Sequence, residues 1–201
     1  MHTHLYSIPF DHHSPKYHLF CGNVHSRKAI YVVTGWVIYR LINDLVAVFI
    51  ITMSEAMQVI YSLSTISALF AILSLFNAFR TKNELLIWPT IAFFMSEIIA
   101  SYLETVSAIA TLVFPESALA KQFDEYHLIT NKQTSSPAHS FFIRSTSVAF
   151  YAATSAVLSM LGLLLNSTLL IITLRFHRYY RDWRKARIQY SPSVAYTIYK
   201  A

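Results

Sequence analysis

Residues 28–53 read KAIYVVTGWVIYRLINDLVAVFIITM. Roughly 20 apolar residues, at about 1.5 Å of rise each, cross the hydrocarbon core of a bilayer, and this run is long enough. It also carries Arg40, Asn43 and Asp44 near its middle. Charge at that depth is costly, so one face of the helix is expected to meet something other than lipid.

Three further runs share this character. They lie at about 57–79, 85–114 and 146–175, after a first span at about 29–53. Hydrophobic residues make up 55% of the 201-residue chain and charged residues 13%, about half the usual charged share of a soluble domain. No segment is left over for a separate soluble core. The expected fold is an all-α membrane protein of four transmembrane helices. It has a tail over 1–27, a four-helix domain over 28–176 with a long loop at 115–143, and a basic aromatic tail over 177–201.

The net charge of +6 is concentrated at span ends and in the last tail, which points to anionic lipid headgroups rather than nucleic acid. Cys21 is the single cysteine, so disulfide-stapled four-span architectures are excluded. No basic start followed by an apolar core opens the chain, and the first span is expected to serve as an uncleaved insertion signal. Six of the nine histidines fall in residues 1–26. They lack the spacing and the cysteine or carboxylate partners of a closed metal site. A solvated tail is therefore expected there, with no metal and no cofactor.

Positive charge sets orientation. Arg27 and Lys28 precede the first span, Arg80 and Lys82 separate the second from the third, and Arg175, Arg178, Arg181, Arg184, Lys185 and Arg187 follow the fourth. Both termini are then expected in the cytoplasm, with residues 115–143 on the other side. The second span has small residues at Ser64, Ser67, Ala71, Ser74 and Ala78, a face suited to close helix packing. Glu97, Ser101, Glu104, Ala108 and Thr111 form a polar stripe on the third span, and Ser155, Ser159, Gly162 and Asn166 form one on the fourth.

Arg40 lies twelve residues beyond Lys28, and Glu97 twelve beyond Leu85, on spans that run in the same direction. Their depths should match. An intramembrane cluster of Arg40, Asn43, Asp44, Glu97, Glu104 and Asn166 is expected, with Arg40 and Asp44 one turn apart on one face. Three readings stay open for it: an assembly lock, a small-molecule or lipid site, and an ion or proton path.

Short signals add little. The Asn166 sequon lies inside a span, and the acidic dileucine pattern at 124–129 faces away from the cytosol. Tyr196-Thr-Ile-Tyr199 lies on the correct side to act as a sorting signal read by adaptors. No nucleotide loop, catalytic triad order or zinc-ligand pair is present, and no enzymatic role is expected.

The segment Cys21-Gly-Asn-Val-His25-Ser-Arg27-Lys-Ala29, running straight into the first span, resembles the lysosome-associated four-span transmembrane family. Arg175-Phe-His-Arg178-Tyr179-Tyr-Arg181, leaving the fourth span, is similar to that family's aromatic-basic exit. Fewer cysteines and the absence of proline-tyrosine motifs set this chain apart, so ubiquitin-ligase recruitment is not implied. The resemblance implies an endosomal or lysosomal multi-pass protein, with the plasma membrane as the other location. Its expected role is trafficking, or assistance to small-molecule or lipid transport, alongside other membrane proteins. The alternative is a small transporter or channel subunit built on the intramembrane cluster.

Overall fold

A computed structural model describes residues 10–12, 14–19, 24–50, 55–114 and 140–189. Among them, four long helices carry the chain. These are α1 (Ser26–Ile50), α2 (Glu55–Thr81), α3 (Trp88–Val113) and α4 (Ser140–Gln189). Each contains a window long and apolar enough to cross a membrane, and no more than 28% of any window is buried within the protein. Large apolar side chains such as Phe49, Phe70, Phe76, Leu103 and Leu164 are exposed. Apolar residues left outward on every helix are what a lipid solvent permits. The chain is a multi-pass membrane protein.

The connection between α2 and α3 is built from local rules. Lys82 takes a left-handed conformation (φ 54°), and its N–H reaches back to the Ala78 carbonyl at 2.8 Å, closing α2 with the bond usual at a helix C-terminus. The Asn83 side chain then accepts the Leu85 N–H at 3.2 Å and opens a 3-10 turn over Glu84–Ile87. Pro89 falls in the first turn of α3, where its missing N–H costs nothing.

The fourth helix departs most from expectation. Hydropathy alone ends it near Leu174, where charge begins, yet α4 has 50 residues and continues to Gln189. At about 1.5 Å per residue that is more than twice the roughly 30 Å hydrocarbon thickness. The reason is local: residues 175–189 contain no glycine or proline and are rich in arginine, a good helix former.

The chain divides into two compact units. The first takes in Met1–Ile42, Thr65–Ala92 and Leu170–Ala201, and the second Asn43–Ser64 and Phe93–Leu169. In the first, α1 buries Ala29, Ile30, Val33 and Val37, and α2 buries Ala68, Ala71, Ser74, Leu75 and Ala78. The small-residue face of α2 is thus used for packing: Thr90 donates to the Ala71 carbonyl at 3.2 Å. Tyr31, Phe79, Phe176 and Tyr180 form a chain of ring contacts 4.4 to 5.9 Å apart.

The described residues 10–12, 14–19, 24 and 25 do not form the solvated tail expected from their polarity. A 3-10 turn at Pro15–Tyr17 leads into a two-residue strand, β1 (His18–Leu19), paired antiparallel with β2 (Val24–His25). Tyr17 and Leu19 are buried. The correction has a physical cause: Phe10, Tyr17 and Leu19 supply apolar area, and the aromatic end of α4 offers a partner surface.

Candidate functional site

The docked N-terminal segment and the extension of α4 form the most elaborate polar site described in the first unit. Tyr17 donates to the Asp182 carboxylate at 3.0 Å, and the Lys16 ammonium reaches the same oxygen at 3.2 Å. His12 Nδ1 meets the Tyr179 hydroxyl at 2.8 Å. The Arg175 guanidinium donates to the His18 carbonyl. The rings of Phe10, Tyr17 and His25 close around Tyr179 at 5.2 to 5.6 Å, all near edge-on, the geometry aromatic quadrupoles favour. The Tyr17 hydroxyl, and after it the Asp182 carboxylate, hold the Lys16 amine above the ordinary lysine range. Burial, first among its influences, holds the Tyr17 phenol above its usual range. At neutral pH both keep their protons, so Asp182 faces two donors.

A second group stands beside the first. Arg184 pairs with Glu84 at 2.9 Å, Lys82 sits 5.0 Å over the Trp183 ring, and Trp88 meets His177 edge-on at 5.6 Å. These contacts tie the α2–α3 turn to α4 within the same unit. Around them Lys16, Arg27, Lys28, Arg80, Lys82, Arg178, Arg181, Arg184 and Lys185 are exposed. The cations expected to meet lipid headgroups therefore stand exposed on the docked segment, the α2–α3 turn and α4. Arg175 is the exception among them, half-buried and engaged by His18. The Arg187 side chain and the Tyr196–Tyr199 signal lie outside the described residues.

In the second unit the two polar stripes of α3 and α4 face each other. Ser155 donates to the Glu104 carboxylate at 2.9 Å, and the hydroxyls of Thr105 and Ser159 meet at 2.8 Å. A Cβ on Gly162 would stand 3.5 Å from the Ser101 hydroxyl, ordinary contact at a close helix approach. Thr105 and Ser159 also bond to their own helix, at the carbonyls of Ser101 and Ser155, a common arrangement for helical hydroxyls. Thr105 and Ser159 are buried.

Asp44 is fully buried and accepts the Ser64 hydroxyl at 2.6 Å. Its chain neighbour Asn43, placed with it in the expected cluster, is exposed. Glu97 is half-buried, Glu104 exposed and Asn166 buried. Arg40 is half-buried and belongs to the first unit, whereas Glu97 belongs to the second. The expected pairing of Arg40 with Glu97 rests on their matched depth alone. What the second unit does bring together is carboxylate with hydroxyl, Asp44 with Ser64 and Glu104 with Ser155.

Sequence reasoning did not find Lys16, Tyr17 or Asp182, and it named His25 and Tyr179 only within the two flanking segments. The available signal was a dense run of aromatic and histidine residues, from Phe10 to His25, beside a tail of like composition. Among the described residues no group of three or more histidine, cysteine or acidic side chains could hold a metal ion. Comparison with protein-family models, curated proteins and solved structures finds no match to this chain.

Proposed function

We propose that this chain is a non-enzymatic four-span protein of the endosomal or lysosomal membrane. It presents its ordered basic end to the anionic cytoplasmic leaflet and acts in trafficking, or as an accessory to small-molecule or lipid transport. The observation that carries this reading is the set of exposed cations around the α4 extension, with Trp88 exposed and Trp183 half-buried among them. Each basic residue close to an anionic surface contributes about 1 kcal/mol, and aromatic rings suit the headgroup level. Both termini are then cytoplasmic, and the compartment follows from the resemblance of the two flanking segments.

The test is lipid selection. Protein reconstituted in nanodiscs of mixed phosphatidylserine and phosphatidylcholine should retain phosphatidylserine preferentially in native mass spectrometry. The combined change Arg178→Gln, Arg181→Gln and Lys185→Gln should remove the preference. Equal retention by wild type and variant would contradict the reading. The compartment is checked separately: a tagged copy confined to the plasma membrane, unmoved by blocking endocytosis, would exclude it.

A transporter or channel subunit is the second reading, favoured by Asp44 and Glu104, carboxylates held by hydroxyls on membrane-spanning helices. Such pairs can bind a proton, a cation or a polar headgroup. Solute flux in proteoliposomes separates this role from the accessory one.

A further inference from the structure

The second unit carries charge of one sign on its spans. Residues 43–50, 55–64, 93–114 and 150–169 contain Asp44, Glu55, Glu97 and Glu104, and no lysine, arginine or histidine. On α4 the nearest cation, Arg144, stands eleven residues before Ser155, about 16 Å along the helix. Asp44 is buried and Glu97 half-buried, whereas Glu104 is exposed. It falls within the span Glu84–Val113, nine residues or about 13 Å before its end. An ionised group that faces lipid at that depth is costly.

The exposed hydroxyls of this unit meet the same demand locally. Ser96, Thr154 and Thr168 donate to carbonyls of their own helices, at Phe93, Phe150 and Leu164, and so need no partner. Glu104 lacks that route, because an ionised carboxylate only accepts. Ser155 donates to its Oε1 at 2.9 Å, one hydrogen bond for a group with about four acceptor positions. The same face of α3 is built small. Ser96, Ala100, Glu104 and Ser107 recur at steps of four, four and three, and Ser96 and Ala100 are exposed with Glu104. Small side chains let a neighbouring helix come close.

We propose that the Glu104 face of α3 docks a membrane helix of another protein that carries a lysine or arginine at the same depth. That cation supplies the charge these spans lack and donates to the carboxylate from the lipid side. A second copy of this chain does not meet the need, since a two-fold contact through this face sets Glu104 against Glu104. The inference rests on the accessory reading and gives the chemistry of the partner.

The test uses full-length protein with a fluorescent protein fused at its C-terminus, in phosphatidylcholine nanodiscs. The probe is a dye-labelled synthetic leucine-alanine helix with lysine, leucine or glutamate at the depth of Glu104. By energy transfer, the wild type should bind the lysine helix about three- to tenfold more tightly than the leucine helix, the scale of interhelical polar contacts in lipid. Glu104→Gln still accepts the Ser155 hydroxyl and should bind the two alike. Equal binding by the wild type, or a preference kept in Glu104→Gln, overturns the proposal. If Glu104→Gln does not fold, the glutamate helix decides with the wild type. Weaker binding than the leucine helix supports docking by charge, and equal binding overturns it. Energy transfer between two copies, lost in Glu104→Gln, would give the face to a second copy and overturn the proposal too. Solute flux in proteoliposomes tests the accessory reading by itself, so the two can fail separately.

Discussion

Tyr17 and Asp182 stand 165 positions apart in the chain, and the phenol of one donates to the carboxylate of the other at 3.0 Å. That bond fixes the segment before the first span against the helix that leaves the fourth. Tyr17→Phe removes the donor but keeps the buried ring. The expected loss is about 1.5 to 3 kcal/mol, the usual net worth of a hydrogen bond to a charged group, seen as a lower unfolding temperature in detergent. Tyr17→Ala removes the ring as well and should cost about 3 to 5 kcal/mol, with protease cleavage appearing within residues 10–25.

Asp44 and Ser64 form the matching relationship in the second unit, at 2.6 Å. Ser64→Ala withdraws a hydroxyl from a fully buried carboxylate and should destabilise by about 1 to 3 kcal/mol. Asp44→Asn leaves an acceptor for the same hydroxyl and carries no charge. The Ser64 bond can still form in Asp44→Asn, and thermal unfolding of Ser64→Ala in detergent checks what that bond contributes.

Gly162 tests how closely α3 and α4 approach. The added Cβ of Gly162→Ala meets Ser101 Oγ at 3.5 Å, which is tolerable, and alanine is the better helix former by about 0.5 to 1 kcal/mol. Gly162→Ala should therefore be neutral or slightly stabilising. Gly162→Leu has no such room. It should part the Thr105 and Ser159 hydroxyls and lower stability by about 1 to 3 kcal/mol.

Much of this second-unit packing was legible in the sequence. The stripes Ser101, Glu104 and Ser155, Ser159, Gly162 follow helical spacing, and spans long enough to cross a bilayer announce themselves by hydropathy. Asn43, expected in the cluster beside Asp44, is exposed while Asp44 is buried, as a helix that turns successive residues by about 100° allows. The end of α4 was missed because hydropathy falls at Arg175, whereas backbone propensity does not. The docking of Tyr17 on Asp182 had no periodic signal, since it depends on a contact between the two ends of the chain.

Glu104 separates the accessory reading from the transport reading. Glu104→Gln still accepts the Ser155 hydroxyl and removes a charge from a membrane-spanning helix, so folding and trafficking should be retained. An accessory protein shows no solute flux in proteoliposomes before or after the change. Flux in the wild type that disappears in Glu104→Gln would establish the transport reading instead.

In the proposed topology the basic end around Asp182 faces the cytoplasm, and the loop expected at 115–143, most of it outside the described residues, lies on the other side of the membrane. Glycosylation-acceptor sites inserted in turn before Phe10, within residues 115–139 and after Gln189 test it most directly, in cells or microsomes. Modification is expected of the acceptor within 115–139 and of neither other site. Modification at either end of the chain, with none within 115–139, would contradict it.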